Sequence, residues 1–289
     1  MLDISPMTGT IGAEIAGLDL KAPIPDDLGA LLREALSRYQ MIVFPDQHLD
    51  IAAQKRLTRV FGPAMKLPYV APLDDDPEVI AVLKEASERR TGVFGGEWHS
   101  DFSFLASPPA GSVLSAVEVP RYGGDTVWSN QVAALESLPA YLREILEGRE
   151  AIHVGKPYGV KFAPPAETRA NASIRMTRGD PEADRETRHP AILAHPQTGA
   201  RALFLNPIYT TRLDGLTEAE SAPILAAVYK HAVRPDFCCR LRWTPGAVAV
   251  WDNRTTLHYA VNDYDGARRL LYRTTFAGPR PAAPSSDEA

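Results

Sequence analysis

The sequence predicts one mainly β domain with flanking helices, because strand-like segments dominate its last third and helical patterns are few. A chain of 289 residues could form one large domain or two small ones, and an all-β core with helical additions of this size usually forms one. No internal repeat divides the sequence. We therefore expect a single domain over residues 1–279.

Four segments have the pattern of a helix. The first is marked by apolar residues at Leu28, Leu32 and Leu36, which fall on one face of a 3.6-residue period. The last begins at a capping box, in which Thr217 precedes Glu220 by three residues. The four predicted helices cover about residues 26–39, 50–60, 132–147 and 217–231.

The predicted strands are short apolar or alternating runs bounded by turn residues. Thr126 follows the turn residues Gly123 and Gly124, so it should begin a strand. In the last strand the two-residue period places Arg269 and Arg273 on one face, roughly 13 Å apart. The predicted strands cover about residues 41–44, 79–83, 112–119, 126–129, 191–194, 202–205, 237–243, 247–251 and 268–276.

Two polar segments and the C-terminal tail lack a regular pattern. Residues 84–97 are rich in charge and end in Gly95-Gly96, and residues 156–188 carry many charges and prolines. Long segments of this kind inside a domain are usually functional loops or disordered. We expect both to form lids at the entrance of a site, and we expect residues 280–289 to be disordered.

Composition excludes several classes of protein. The hydrophobic content is 45%, the charged content is 23% and the formal net charge is −5, which argues against binding nucleic acid through a basic surface. The N-terminus lacks the pattern of a signal peptide, and no apolar run is long enough to span a bilayer. The adjacent Cys238 and Cys239 fit a reducing compartment. We expect a cytoplasmic protein without a membrane or nucleic-acid partner.

His99, Asp101 and the distant His258 supply two imidazoles and one carboxylate. If His99 and Asp101 lie two residues apart on an extended strand, both point to the same side and can reach one ion. Two histidines and a carboxylate on one face of an octahedron form a ferrous-iron site with open positions opposite. Taken singly, a histidine such as His99 is more often a hydrogen-bonded core residue than a ligand, and Asp101 could be a turn residue.

A cation and a hydroxyl near these residues suit a dicarboxylate. Arg269 follows His258 by eleven residues, and Thr126 lies at the start of its strand. Buried guanidiniums need anionic partners, because an unpaired buried charge is very costly. Arg269 or the adjacent Arg268 could instead form a structural salt bridge, and Thr126 could be an ordinary strand threonine.

Several separated motifs resemble the taurine dioxygenase and 2,4-dichlorophenoxyacetate dioxygenase family of Fe(II)- and 2-oxoglutarate-dependent oxygenases, from about Thr8 to Pro279. The motifs are His99-Ser100-Asp101, Pro108-Pro109-Ala110, Gly123-Gly124-Asp125-Thr126, His195-Pro196, Trp251-Asp252-Asn253-Arg254, His258-Tyr259-Ala260, and Arg269 with Arg273.

The resemblance implies a fold, a set of cofactors and a reaction. The fold is a double-stranded β-helix, or jelly-roll. Iron is bound by His99, Asp101 and His258, which form the catalytic centre, and Thr126 and Arg269 hold 2-oxoglutarate. With molecular oxygen, the implied reaction hydroxylates a C–H bond of the substrate and releases succinate and carbon dioxide.

The resemblance also implies an anionic small-molecule substrate. Arg273 matches the arginine that meets a sulfonate or carboxylate in this family, so a sulfonate, sulfate ester or carboxylate is expected. Taurine itself is not indicated, since residues 61–70 lack the histidine that helps to hold it. Family members often associate, which makes a homo-oligomer compatible with the resemblance. The candidates for the pocket wall are Tyr69, Phe102, Phe104 and Tyr209.

Two other classes of function use some of the same residues. A zinc hydrolase could bind its metal through two histidines and an aspartate and keep a position open for water, although Thr126 and Arg269 would then have no purpose. A non-catalytic jelly-roll that senses a small acid is the second alternative. Release of succinate in the presence of iron, 2-oxoglutarate and oxygen distinguishes an oxygenase from both.

Overall fold

A seven-stranded sheet and a three-stranded sheet enclose the main core in the computed structural model, which describes residues 2–73, 76–89, 92–162 and 173–285. The strands are β1 (Asp3–Pro6), β2 (Ala13–Ala16), β3 (Met41–Phe44), β4 (Ile80–Lys84), β5 (Pro109–Glu118), β6 (Thr126–Asn130), β7 (Glu150–His153), β8 (Thr187–Pro190), β9 (Ile192–Ala194), β10 (Arg201–Leu203), β11 (Thr210–Leu213), β12 (Cys238–Leu241), β13 (Val248–Asp252), β14 (Thr256–Ala260) and β15 (Arg269–Ala277). The helices are α1 (Asp26–Tyr39), α2 (Ile51–Phe61), α3 (Gln131–Glu136), α4 (Ala140–Leu146) and α5 (Glu218–Ala232).

The strand order of the large sheet is β1-β2-β3-β13-β5-β15-β4, and that of the small sheet is β12-β6-β14. Every pair in these two sheets is antiparallel except β2 with β3. The chain passes from the large sheet to the small one between β5 and β6, through Gly123 and Gly124. Two further small sheets have the orders β11-β7-β8 and β10-β9.

The large sheet is buried on both faces. Its inner face contributes Leu114, Trp251 and Leu271 to the main core, where they meet Trp128 of the small sheet. Its outer face packs against α1 and α2 in a second apolar cluster. Because alternate residues of a strand point to opposite faces, β15 carries Arg269 and Arg273 on the inner face, and both are only 3% exposed. This confirms the predicted face of the last strand.

Several predicted elements are confirmed. The structure contains α1, α2 and the apolar strand β3 within one residue of the expected bounds. The strands predicted at residues 191–194 and 202–205 form the antiparallel pair β9 and β10. At the start of α5, the Thr217 hydroxyl accepts the N–H of Glu220, and the Glu220 carboxylate accepts the N–H of Thr217, as the capping box requires.

The single helix predicted over residues 132–147 is wrong. The structure has two short helices, α3 and α4, separated by Ser137, Leu138 and Pro139. Proline has no N–H to donate and disfavours a helical conformation in the residue before it. The apolar residues Leu135, Leu138 and Leu142 nevertheless share one buried cluster, which is why their spacing resembled one continuous helix.

The start of the tail, predicted to be disordered from residue 280, makes two hydrogen bonds to the domain. Ala194 donates its N–H to the carbonyl of Ala282, and the Arg280 guanidinium donates to the carbonyl of Arg188. Residues 286–289 lie outside the described residues, so disorder there stays a prediction. In the described ranges, the length and polarity of every helix rule out a membrane-crossing one.

Candidate active site

Two of the three predicted metal ligands are linked by backbone hydrogen bonds. His258 lies in the middle of β14, and its N–H donates to the carbonyl of His99 over 2.8 Å. The N–H of His99 donates back to the carbonyl of His258 over 3.1 Å. This isolated bridge brings the two imidazole rings to a centroid distance of 4.1 Å.

The third predicted ligand, Asp101, reaches the site from a turn. The expectation of an extended strand through His99 and Asp101 is wrong, since only His99 has a strand-like bridge. The chain turns at Asp101 and continues through Phe102, whose φ of 47° lies in the left-handed region. The Ser100 hydroxyl donates to the carbonyl of Asn253 over 2.6 Å and ties this turn to the segment before β14.

The three ligand atoms converge in a buried position. One atom from each of His99, Asp101 and His258 lies within 4.8 Å of the others. Each Nε2 atom is 3.5 Å from Asp101 Oδ1. The exposed fractions are 6%, 2% and 7% for His99, Asp101 and His258, so water competes little for these groups.

The protonation states suit a divalent cation. His99 Nδ1 lies 2.7 Å from the carbonyl of Glu97, which can only accept, so Nδ1 carries a proton and Nε2 is the nitrogen left to bind a metal. Burial, together with the neighbouring His99, holds the pKa of His258 well below its usual value. Burial alone would raise the pKa of Asp101, but Arg273 and the two imidazoles lower it. A neutral His258 and an ionised Asp101, together with Nε2 of His99, form a fitting donor set for Fe(II).

Arg273 contacts the predicted metal ligand directly. Its Nη2 atom lies 2.6 Å from Asp101 Oδ2 and donates to the Ser112 hydroxyl over 3.0 Å. Ser112 donates in turn to Asp101 Oδ2 over 3.3 Å. Arg273 Nε is buried and has no hydrogen-bond partner among the described residues. Sequence analysis assigned no role to Ser112, although a serine that shares a strand face with the apolar Leu114 and Ala116 was a signal.

A cavity beside the three ligands brings together three of the other seven predicted site residues. Thr126, Arg269 and Arg273 line it, together with His99 and His258. The remaining lining residues are Val82, Phe94, Gly95, Leu114, Trp251 and Ala260.

The wall around Arg269 depends on Gly124. Arg269 Nε donates to the carbonyl of Gly124 over 3.0 Å. A Cβ atom on Gly124 would lie 3.0 Å from Arg269 Cδ, and the φ of Gly124 is +70°. Burial lowers the pKa of Arg269, and no described carboxylate forms an ion pair with it. This part of the cavity therefore contains a buried cation, the Arg269 guanidinium, whose charge an anionic ligand would neutralise.

Thr126 is oriented by an indole. Trp243 Nε1 donates to Thr126 Oγ1 over 2.9 Å, and Thr126 is only 4% exposed. A hydroxyl that accepts one hydrogen bond still has its own hydrogen to donate. Thr126 can therefore donate to a carboxylate that also meets Arg269.

The four aromatic candidates for the pocket wall form one cluster, but they do not line the cavity just described. Phe104 lies 5.9 Å from Tyr69, 5.8 Å from Phe102 and 5.0 Å from Tyr209, measured between ring centroids. Tyr158, which the sequence analysis missed, stacks on Tyr69 with ring centroids 5.0 Å apart. The cluster adjoins Asp101, since Phe102 follows it directly.

A second buried network holds the turn before β14. Asp252 Oδ2 lies 3.0 Å from His195 Nε2, and Asp252 Oδ1 accepts the Nε of Arg254 over 2.9 Å. The Thr256 hydroxyl donates to the carbonyl of Asp252 over 2.6 Å. His195, which belongs to the His195-Pro196 motif, therefore makes a supporting contact at the base of the strand that carries His258.

The two segments predicted as lids contact each other. Ser173 donates its N–H to the Glu88 carboxylate over 3.1 Å. From the first segment, Phe94 and Gly95 line the cavity. Residues 90–91 and 163–172 lie outside the described residues, and opening or closing of either segment stays a prediction.

Comparison with known proteins identifies the family. The family model described as taurine catabolism dioxygenase TauD, TfdA family matches residues 3–275. An alkylsulfatase from Acinetobacter baylyi is 32% identical over 279 residues, which cover 96% of this chain and 85% of that protein. An alpha-ketoglutarate-dependent sulfate ester dioxygenase from Pseudomonas putida is 34% identical over 284 residues, which cover 97% of this chain and 91% of that protein.

A solved structure extends the agreement to the fold. The crystal structure of a taurine dioxygenase from Burkholderia xenovorans superposes with a TM-score of 0.80 at 31% identity, covering 98% of this chain and 93% of that one. The match confirms the jelly-roll core expected from the sequence. The chain therefore belongs to the TauD, TfdA family of oxidoreductases, dioxygenases that use Fe(II), 2-oxoglutarate (alpha-ketoglutarate) and molecular oxygen.

Proposed function

We propose that this chain hydroxylates a C–H bond of a small organic anion in a reaction that consumes 2-oxoglutarate and oxygen and releases succinate and carbon dioxide. The observation that carries the proposal is the convergence of three buried ligand atoms within 4.8 Å beside a cavity that is also lined by Thr126 and Arg269. A zinc hydrolase would need only the first half of this arrangement.

His99, Asp101 and His258 are the proposed iron ligands. When bound, Fe(II) supplies the redox chemistry that activates oxygen at its open positions. The protein's own contribution is to hold two imidazoles and one carboxylate in place before the metal binds. The backbone bridge between His99 and His258 does this for the imidazoles.

Arg269 and Thr126 are the proposed ligands of the far carboxylate of 2-oxoglutarate. The Arg269 guanidinium can form charge-assisted hydrogen bonds to a carboxylate, which are about twice as strong as neutral ones. The carbonyl of Gly124 accepts a hydrogen bond from Arg269 Nε. Trp243 orients the Thr126 hydroxyl so that its hydrogen is left to donate. Both groups line the same cavity as the imidazoles, as a single bridging ligand requires.

Arg273 is the proposed contact for the charged end of the substrate. Its Nε has no partner in the described part of the chain, and a planar guanidinium suits sulfonate, sulfate ester and carboxylate alike. The names of the two curated relatives, an alkylsulfatase and a sulfate ester dioxygenase, support a sulfate ester among these. The cluster of Tyr69, Phe102, Phe104 and Tyr209 would then hold the apolar part.

A succinate assay tests this proposal. Purified protein is incubated with Fe(II), 2-oxoglutarate and oxygen, with and without each member of a panel of alkyl sulfates, sulfonates and aryloxy acids. We expect succinate release that rises with at least one of these anions, together with an oxidised product in equal amount. No succinate with any of them, or hydrolysis of an ester without consumption of 2-oxoglutarate, would contradict the proposal.

A further inference from the structure

The two carboxylate oxygens of Asp101 have different surroundings. Oδ1 lies 3.5 Å from the Nε2 atoms of both His99 and His258. Oδ2 lies 2.6 Å from Arg273 Nη2 and accepts the hydroxyl of Ser112 over 3.3 Å. Ser112 itself accepts from Arg273 Nη2, so Asp101, Ser112 and Arg273 form a closed triangle.

The triangle joins a turn to a rigid sheet. Asp101 lies in a turn, where nothing in the backbone pattern fixes the rotation of its carboxylate. Ser112 lies on β5 and Arg273 on β15, and these strands are adjacent and antiparallel, with Ser112 opposite Thr275 and Arg273 opposite Leu114. The two side chains therefore reach Asp101 from fixed positions.

The three residues of the triangle are buried. Asp101, Ser112 and Arg273 are 2%, 0% and 3% exposed, so their contacts face little competition from water. A carboxylate without such contacts can turn and offer either oxygen, or both, to a metal. With Oδ2 occupied by two donors, only Oδ1 is left to face the imidazoles.

We propose that Ser112 and Arg273 are positioning residues that hold Asp101 as a one-oxygen metal ligand. This inference rests on the proposed function and deepens it, because it gives Ser112 a role and gives Arg273 a role besides contact with the substrate. Groups that orient a metal ligand typically change metal affinity by about 10- to 100-fold when they are removed.

The direction of the change in metal affinity distinguishes a positioning role from a purely electrostatic one. A guanidinium beside a cation site repels the cation, so loss of Arg273 should strengthen metal binding if its charge were all that mattered. Loss of Ser112 removes no charge at all. Weaker metal binding in both variants therefore indicates orientation of Asp101.

Mn(II), which oxygen does not oxidise under these conditions, is the probe. Its affinity is measured by the electron paramagnetic resonance of free Mn(II), without 2-oxoglutarate, in the full chain and in the variants Ser112→Ala, Arg273→Gln, Asp101→Ala and Arg269→Gln. Arg269→Gln is the matched control, since it removes a buried guanidinium from the same face of β15 that does not contact Asp101. Circular dichroism checks that each variant is folded.

We expect affinity to fall about 10-fold in Ser112→Ala and up to about 100-fold in Arg273→Gln, with no loss in Arg269→Gln. In the Co(II)-loaded protein, the visible absorption of Ser112→Ala should also differ from that of the parent, because the carboxylate is free to bind through both oxygens. The Ser112→Ala measurement decides the matter if Arg273→Gln does not fold.

Unchanged or tighter Mn(II) binding in Ser112→Ala would overturn the inference, as would an equal loss in Arg269→Gln. If Asp101→Ala still lost the metal in that case, the proposed iron site would stand without the positioning role. Full Mn(II) affinity in Asp101→Ala would instead overturn the proposed function itself.

Discussion

His99 and His258 exchange two backbone hydrogen bonds, of 3.1 Å and 2.8 Å, although 158 residues separate them along the chain. This contact fixes the distance between the imidazoles by the geometry of a strand pair. The side chains need to move little when a metal binds, which reduces the entropy that binding costs.

Loss of one imidazole should abolish metal binding. In His258→Ala, we expect no measurable turnover and a large loss of Mn(II) affinity, because only one imidazole and one carboxylate remain. The exposed His48 offers a control, and His48→Ala should bind Mn(II) as the parent does. Isothermal titration of both variants checks this, and tight Mn(II) binding by His258→Ala would reject the ligand assignment.

Arg269→Ala should weaken 2-oxoglutarate binding. Loss of a hydrogen bond to a charged group costs about 1.5–3 kcal/mol, or roughly 10- to 150-fold in affinity. The control is Arg268→Ala, whose guanidinium pairs with Glu85 and Glu118 outside the cavity. Anaerobic titration of the Fe(II) protein with 2-oxoglutarate measures both, and equal affinities in the two variants would contradict the assignment.

A methyl group on Gly124 should act through Arg269. In Gly124→Ala, the added Cβ would lie 3.0 Å from Arg269 Cδ at a φ of +70°. Gly199→Ala is a matched control, with the same φ of +70° and no atom within 4 Å. Both should lose about 1–2 kcal/mol of stability from the left-handed backbone, but only Gly124→Ala should bind 2-oxoglutarate more weakly. Equal 2-oxoglutarate affinities would show that Gly124 serves the turn alone.

Arg273→Lys should distinguish the substrate from the co-substrate. Lysine keeps the charge but loses the planar fork of donors, so KM for the best anionic substrate should rise roughly tenfold, or about 1.4 kcal/mol. KM for 2-oxoglutarate should stay close to that of the parent. A best substrate that proved neutral or cationic would contradict the substrate contact and leave Arg273 with its contacts to Asp101 and Ser112.

The free energy of unfolding should fall as the pH is lowered through the range in which His189 titrates. Burial lowers the pKa of His189 from 6.5 to about 4, so between these values the unfolded chain binds a proton that the folded chain does not. Stability is therefore fully present above about pH 6.5 and decreases towards pH 4, by up to about 3 kcal/mol for this group. His153, whose pKa burial also lowers, adds to the same trend.

Urea unfolding between pH 7 and pH 4.5 measures this dependence. His189→Gln keeps an N–H that can donate to the carbonyl of Leu105, as His189 Nε2 does over 2.9 Å. In this variant, the slope of the unfolding free energy against pH should be smaller by the contribution of about one proton. An unchanged slope would mean that His189 takes up its proton in the folded state as readily as in the unfolded one.

Sequence patterns predicted the parts of the fold that depend on local periodicity. The face of β15 that carries Arg269 and Arg273 follows from the two-residue repeat of a strand, and the start of α5 follows from the Thr217 capping box. The break between α3 and α4 was missed because the apolar spacing continues across Pro139. The pairing of strands in each sheet depends on contacts distant in sequence, which no local pattern reports.

The candidate site was predictable in its residues but less so in its geometry. Motif spacing singled out His99, Asp101 and His258, yet the turn at Asp101 and its contact with Arg273 depend on how β5 and β15 pack. Tyr158 gave no signal, since its segment has no periodicity. The predicted aromatic wall is a cluster beside Asp101 that does not line the cavity, and it joins rings from segments distant in sequence, whose contacts no local pattern reports.

Anaerobic absorption spectroscopy tests the central claim most directly. Binding of 2-oxoglutarate to Fe(II) held by His99, Asp101 and His258 should produce a visible charge-transfer band that saturates at one 2-oxoglutarate per chain. The band should be absent from Asp101→Ala under the same conditions. A band of equal strength in Asp101→Ala, or none in the parent protein with both Fe(II) and 2-oxoglutarate present, would contradict the account.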